Sequence, residues 1–349
     1  MAVYTSGGSS VHYGFESTTA FATAVTANKT FGLNASVTNL SVNTNRIELA
    51  QLGQVEPQAY AYGAQAGSMS IGFTFDDTNS QDIFQSLYGA PSGNTSAWSY
   101  PASSTTPLSH STSPAVINSL TVQVDQQLTG AYNYSADPPT TNTTATRLRR
   151  TMKGCVVTGL GISTAIGQTV DGSVELAYGK EEPTAEASGT IADQTAIAGK
   201  PLTFAHGAFK LSDGSAIRTL GEIQSVNCNF GTNTSLLYEL GSQYSVNAFR
   251  QIFDITGSFN TTFKTFKHLD HVLKQAIPAQ VGTDGVTTND DVSSVGAELI
   301  FTSGDKHITV DFAGVTFDSH SLEGLVPVQP VFETLPFKAR AARIITRTA

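Results

Sequence analysis

Charge is scarce in this chain. Only 13% of its 349 residues are Asp, Glu, Lys or Arg, about half the share of an ordinary folded protein. The balance is acidic, 28 against 19, for a formal net charge of −9. Phosphate binding needs clustered Lys and Arg, so general nucleic-acid affinity is excluded, though nucleic acid passing alongside is not. Long apolar runs are missing as well. No stretch approaches the ~18 residues of a spanning helix, and residues 1–8 have neither the basic nor the apolar region of a secretory signal. The expected place is the cytoplasm in which the chain is made. Cysteine is reduced to Cys155 and Cys228. Spacing leaves open whether they pair, and two buried, reduced thiols in strands is the simpler reading.

Groupings that could carry catalysis are equally thin. His268 and His271 fall at i and i+3 of a predicted helix, but a solvated face explains them better than a metal pair. The run Gly159-Leu160-Gly161 lacks the third glycine of a dinucleotide fingerprint. Asp76-Asp77 and Asp290-Asp291 read as solvated turn residues. No nucleophile, base and orienting group can be named together, so we expect no enzyme, no cofactor and no metal.

What the chain does have is small polar residues and an internal repeat. Slid by 188 positions without gaps, residues 37–82 match 225–270 at ten of 46 positions, including Asn39/Asn227, Leu52/Leu240, Gly53/Gly241, Ser70/Ser258, Thr74/Thr262 and Asp82/Asp270. Each copy predicts a strand, a Leu-Gly corner, an excursion, a second alternating strand and a short helix. In the first copy Leu40 and Val42 alternate with Asn39, Ser41 and Asn43. Met69, Ile71, Phe73 and Phe75 alternate with Ser68, Ser70, Gly72 and Thr74. Ser80 caps a helix at 81–88 that buries Ile83, Phe84 and Leu87. In the second copy Val226, Cys228 and Phe230 alternate with Asn227 and Asn229. Phe259 and Phe263 alternate with Ser258, Asn260 and Thr262, and a helix follows at 266–276.

Further strands are predicted at 120–124, 156–162, 174–178, 297–301, 308–317 and 326–332. Residues 91–114 and 279–294 read as exposed loops. The organisation expected is an N-terminal arm at 1–30, a domain at 31–183, a linker at 184–200, a second domain at 201–336 and a basic segment at 337–349. The arm requires another subunit to cover Tyr13 and Phe15. The cations Arg149 and Arg150, and Arg340 and Arg343 in the basic segment, suit an acidic face of a neighbouring subunit.

The sharpest signal is the non-core side of the paired strands. Asn39, Ser41, Ser68, Ser70, Gly72 and Thr74 correspond to Asn227, Asn229, Thr256, Ser258, Asn260 and Thr262. All are small and uncharged, whereas exposed strands usually carry Lys and Glu. A sheet with one apolar and one small polar face can close with its neighbours into a barrel around water.

The run VHYGFESTTAF at 11–21, then Phe31-Gly32, then VNTNRIELAQLG at 42–53, resembles the major tail tube proteins of long-tailed bacterial and archaeal viruses. The strand, corner, strand and helix order resembles them too. The resemblance implies a mainly β fold of two tandem β-sandwich domains, each with one flanking short α-helix. It also implies strands lent to the inner β-barrel of a ring, rings stacked as the conduit for genome delivery, and residence in the virion tail. The twelve polar residues would then face the lumen, where DNA transits without specific binding. The excursions at 51–62 and 239–250, with Val55, Tyr60, Tyr244 and Phe249, would reach the next ring or subunit. Two domains per chain suggest three chains per ring. Partners would be further copies of the chain, a tape measure protein and terminator or tip proteins, with no membrane involved. Two other readings stay open. One is a secretion-system tube protein. The other is a carbohydrate-binding adhesion module with Trp98, Tyr100 and Tyr132 as its platform.

Overall fold

In the computed structural model the described residues are 10–17, 21–49, 59–61, 63–78, 80–88, 92–94, 97–100, 119–127, 132–133, 140–141, 146–187, 199–212, 217–220, 223–250, 253–263, 296–304, 306–324 and 330–347. They form large antiparallel sheets with little helix. The first half contains β1 (Ser10–Phe15), β2 (Leu33–Asn43), β3 (Ile47–Leu49), β4 (Ala59–Ala61), β5 (Ala66–Thr74), β6 (Ser92–Asn94), β7 (Ala97–Tyr100), β8 (Leu120–Gln127), β9 (Tyr132–Asn133) and β10 (Thr140–Thr141). It continues with β11 (Thr146–Ala165), β12 (Asp171–Tyr178) and β13 (Lys180–Ala187). The second half contains β14 (Gly207–Ser212), β15 (Ile217–Leu220), β16 (Ile223–Gly231), β17 (Thr234–Tyr238), β18 (Ser245–Arg250), β19 (Asp254–Thr262), β20 (Gly296–Ser303), β21 (Lys306–Phe317), β22 (Ser321–Glu323) and β23 (Phe332–Arg347).

The period-2 patterns become these ladders. Met69, Ile71 and Phe73 are buried on β5, and Val226, Cys228 and Phe230 on β16. Opposite them lie the small polar positions, because successive side chains of a strand point to opposite faces. In the first half β1 pairs with β8, β8 and β13 with the start of β11, and the end of β11 with β12, which pairs with β5 and so with β2. In the second half β14 pairs with β20, β20 with β21, β21 with β23, β23 with β19 and β19 with β16. The order of pairing is the same in both. The register is the same as well: Asn39 opposes Ser70 and Asn227 opposes Ser258, each residue 188 positions after its counterpart. Gly154 in β11 and Gly314 in β21 both have φ near +60° (62° and 60°), a conformation that favours glycine. At Gly154 the β8–β11 register shifts, and β11 leaves one sheet for another.

Each half closes by packing two layers of strands face to face. The Tyr13 ring lies 4.5 Å from Phe31, which lies 6.3 Å from Phe73. In the second half Phe209 meets Phe259 at 4.8 Å, and Phe230 meets Phe312 at 6.3 Å. Each fully buried phenylalanine contributes about 1.5–3 kcal/mol of transfer free energy. The short helix falls where expected, as a 3-10 turn Ser80–Phe84 running into Gln85–Tyr88, with Ile83, Phe84 and Leu87 buried. Ser80 Oγ accepts from the Asp76 N–H at 2.9 Å, and Asp76 Oδ1 accepts from the Ser80 N–H at 3.1 Å. The second helix, His268, His271 and residues 279–294 lie outside the described residues.

Three expectations about the chain's edges are corrected. Residues 10–15 are not a free arm but strand β1, and Tyr13 is fully buried in its own chain, with Phe15 packed edge-on against it. Residues 184–187 belong to β13, where Thr184 opposes Arg149, so they are not linker. The basic segment is the second half of β23, burying Phe337, Ala341, Ala342 and Ile344. Part of the expected loop at 91–114 is also strand, since β7 pairs with β23.

Candidate assembly site, a polar wall and an apolar hairpin

The two halves share one continuous sheet. The end of β11 pairs with β12 on one side and β16 on the other, so Gly161 opposes both Ser173 and Asn229. The ladder therefore runs β2, β5, β12, β11, β16, β19, β23 and β22. Directly opposed residues share a face, so rows can be read across it. One row is Gly72, Ser173, Gly161, Asn229, Thr256 and Lys338, and another is Thr74, Asp171, Ser163, Asn227, Ser258 and Pro336. All twelve polar positions singled out in the sequence lie on this face. Ser41 and Ser68 share a hydroxyl hydrogen bond at 2.8 Å, and the Asn260 amide donates to Thr334 Oγ1 at 3.2 Å. Thr74 is buried at the end of its row and donates to Asp171 Oδ1 at 3.1 Å.

Sequence reasoning missed the acidic members of this face. Asp171, Ser173 and Glu175 are exposed and alternate with buried Gly172, Val174 and Leu176. That alternation was the available signal. Asp254 joins them at the end of β19, and Lys338 is the cation opposite Thr256. The wall is thus small, polar and acid-leaning.

Three of the four charged candidates are committed within the chain. Arg149 makes a two-point ion pair with Asp125, at 2.7 and 2.9 Å, across β11 and β8. Arg150 pairs with Glu181 at 2.5 Å, and Arg343 with Asp311 at 2.6 Å. The expected acidic neighbour is supplied by the same chain in all three. Arg340 is exposed on β23.

The excursion at 239–250 is the tip and second strand of hairpin β17–β18, with Leu240-Gly241 at its turn. Its exposed apolar side chains are Leu237, Tyr238, Leu240, Tyr244, Val246 and Phe249, with Leu240 fully exposed and Phe249 55% exposed. The hairpin is seated on the first half. Tyr238 donates its hydroxyl proton to the Gln65 carbonyl at 2.7 Å, the Gln65 N–H donates to the Gln243 carbonyl at 2.7 Å, and Lys180 sits 5.1 Å over the Tyr244 ring. The matching hairpin β3–β4 keeps the same register. Val55 lies outside the described residues. Tyr60 is placed by its backbone opposite Glu48, and Trp98, Tyr100 and Tyr132 by their backbones in β7 and β9.

The two cysteines are separate, free and buried. Burial pushes the Cys228 thiol up to about 12, and burial beside the Glu16 carboxylate raises Cys155 well above its usual value. A thiolate-selective reagent at pH 8 is therefore expected to label neither site in the folded protein and both after unfolding. Labelling of either at the rate of a free thiol would contradict this packing.

The family model described as phage tail tube protein matches residues 7–319, and the chain belongs to that family. No curated protein matches it. Its members are structural, non-enzymatic proteins of the virion tail that self-assemble into a tube. Among the described residues, no helix is long and apolar enough to cross a membrane.

Proposed function

We propose that this chain is a duplicated tube subunit, three copies of which close a ring of six similar domains, and that the rings stack into the conduit for genome delivery. The observation that carries this reading is the polar face that continues from β2 to β23 through the β11–β16 ladder. The duplication is supported by the identical pairing order and register of the two halves. Eight strands per chain and three chains would make a barrel of 24 strands. At ~4.8 Å between strands and ~40° of tilt its diameter is roughly 45–50 Å, wider than duplex DNA. The face toward DNA carries Asp171, Glu175 and Asp254 against Lys338. DNA slides because acids outnumber cations on that face, so few of its counterions are replaced. The hairpins reach the adjacent ring, a tape measure protein occupies the lumen before DNA, and terminator and tip proteins close the ends.

Electron microscopy of the purified protein at high concentration tests this. Hollow tubes with three chains per ring are the expected result. Six chains per ring would sink the duplicated-ring reading, and no tubes would sink the function.

A further inference from the structure

The wall sheet has two ends, and the repeat says how they meet. Among the described residues β2 pairs only with β5, and β22 only with β23. The counterpart of β2 in the second half, β16, has a second partner: the end of β11, with Gly161 opposite Asn229, Ile162 opposite Cys228 and Ser163 opposite Asn227. The counterpart of that end of β11 can be located independently. Asp171 opposes Ser163 and Thr74, while Phe332 opposes Glu323 and Thr262, and Thr262 is the repeat of Thr74. Glu323 therefore stands where Ser163 stands, Leu322 where Ile162 stands and Ser321 where Gly161 stands.

We infer that β22 of one chain pairs antiparallel with β2 of a second copy, with Ser321 opposite Ser41, Leu322 opposite Leu40 and Glu323 opposite Asn39. This rests on the tube reading and adds the residues and register of the ring's joint. The side chains fit. Ser321, Glu323, Ser41 and Asn39 are exposed, so they meet on the polar face, while partly buried Leu322 meets Leu40, which already packs against the core. The occupant is a second copy because the in-chain β11–β16 ladder presents this same pairing between one half and the next. The free edges are also complementary in direction. An exposed row of unpaired N–H and C=O groups is a template for antiparallel strand addition.

Opposed residues of an antiparallel pair lie within disulfide reach. Tubes of the Ser41→Cys, Ser321→Cys double variant, treated with copper phenanthroline to oxidise each thiol pair to one disulfide, are expected to give covalent trimers on a non-reducing gel. Either single variant should remain monomeric, and Ser41→Cys with Glu323→Cys should cross-link several-fold more slowly. In the unmodified protein, hydrogen exchange across 33–43 should slow by at least tenfold between free subunit and tube. Should the double variant fail to assemble, exchange alone decides. Tubes that give neither the 41–321 cross-link nor added protection at 33–43 overturn the pairing and leave the tube reading standing. No tubes from the unmodified protein overturns that reading, and this pairing with it.

Discussion

Virions whose tail tubes carry Glu175→Lys together with Ser258→Arg are expected to assemble normally and to eject their genome roughly tenfold or more slowly, with the delay shrinking as salt is raised. The substitutions sit on the polar face, one in each half. Glu175 is exposed and makes no ion pair among the described residues, and Ser258 lies on the non-core side of β19 opposite Asn227 and Pro336. Neither change removes a core contact, so folding should be spared. Glu175 is the better first-half target than Ser70, because an arginine at 70 would face Glu175 across the β5–β12 ladder and be neutralised. Reversing Glu175 adds two positive units and Ser258→Arg one, three per chain. Each phosphate contact releases condensed counterions and steepens the salt dependence by about 0.9 in log–log slope. The check is single-virion or bulk ejection kinetics at two salt concentrations. Wild-type kinetics in tubes confirmed to carry both substitutions would remove this face from the lumen.

Much of this wall was legible because strand alternation is a local property. Met69, Ile71 and Phe73 announce the buried side of β5, and Ser68 and Ser70 the other, with no need of neighbours. The helix itself is local for the same reason, but Ser80 is its first residue rather than its cap: Asp76 Oδ1 accepts from the Ser80 N–H, and the Ser80 hydroxyl bonds back to Asp76. The strand β1 was not legible. Its burial pattern runs through Ser10, Val11, His12, Tyr13 and Gly14 without alternation, because both of its faces are covered. Polar His12 and Ser10 inside a core break the pattern by which such strands are recognised. The expected arm failed for that reason, and the cover expected from a neighbour came from Phe31 and β8.

Long-range pairing explains the other differences. Nothing near Arg149 in the sequence indicates Asp125, 24 positions away, and an unpaired cation in a charge-poor chain invites an external partner. The register between β8 and β11 brings the two directly opposite. The β11–β16 ladder, which makes one wall from two halves, likewise has no local signature. The repeat predicted two similar units but not that their polar faces would be coplanar. That follows only once Gly161 is seen to oppose both Ser173 and Asn229.

The same separation of local and assembled roles makes the hairpin the place for the second large effect. Leu240→Asp with Phe249→Asp is expected to abolish tube growth while leaving the folded subunit intact. Both side chains are exposed at 108% and 55%, so the subunit's core loses nothing, and surface changes of this kind usually stay within about 0.5 kcal/mol. The hairpin should also keep its seat. The Tyr238 hydroxyl, the Gln65–Gln243 hydrogen bond and the Lys180 contact with Tyr244 are untouched. On the proposed stacking, what is lost instead is apolar burial against the adjacent ring, about 1.5–3 kcal/mol for each large side chain. With two such side chains per hairpin and three chains per ring, the loss is roughly 10 kcal/mol or more for every ring-on-ring contact. Carboxylates placed in that contact add desolvation and mutual repulsion in a chain already at −9. Thermal melting, circular dichroism and negative-stain microscopy separate the two levels: an unchanged melting transition with no tubes is the expected outcome. Tubes of ordinary length would place ring stacking elsewhere, and a lowered melting transition would mean these hairpin side chains support their own chain.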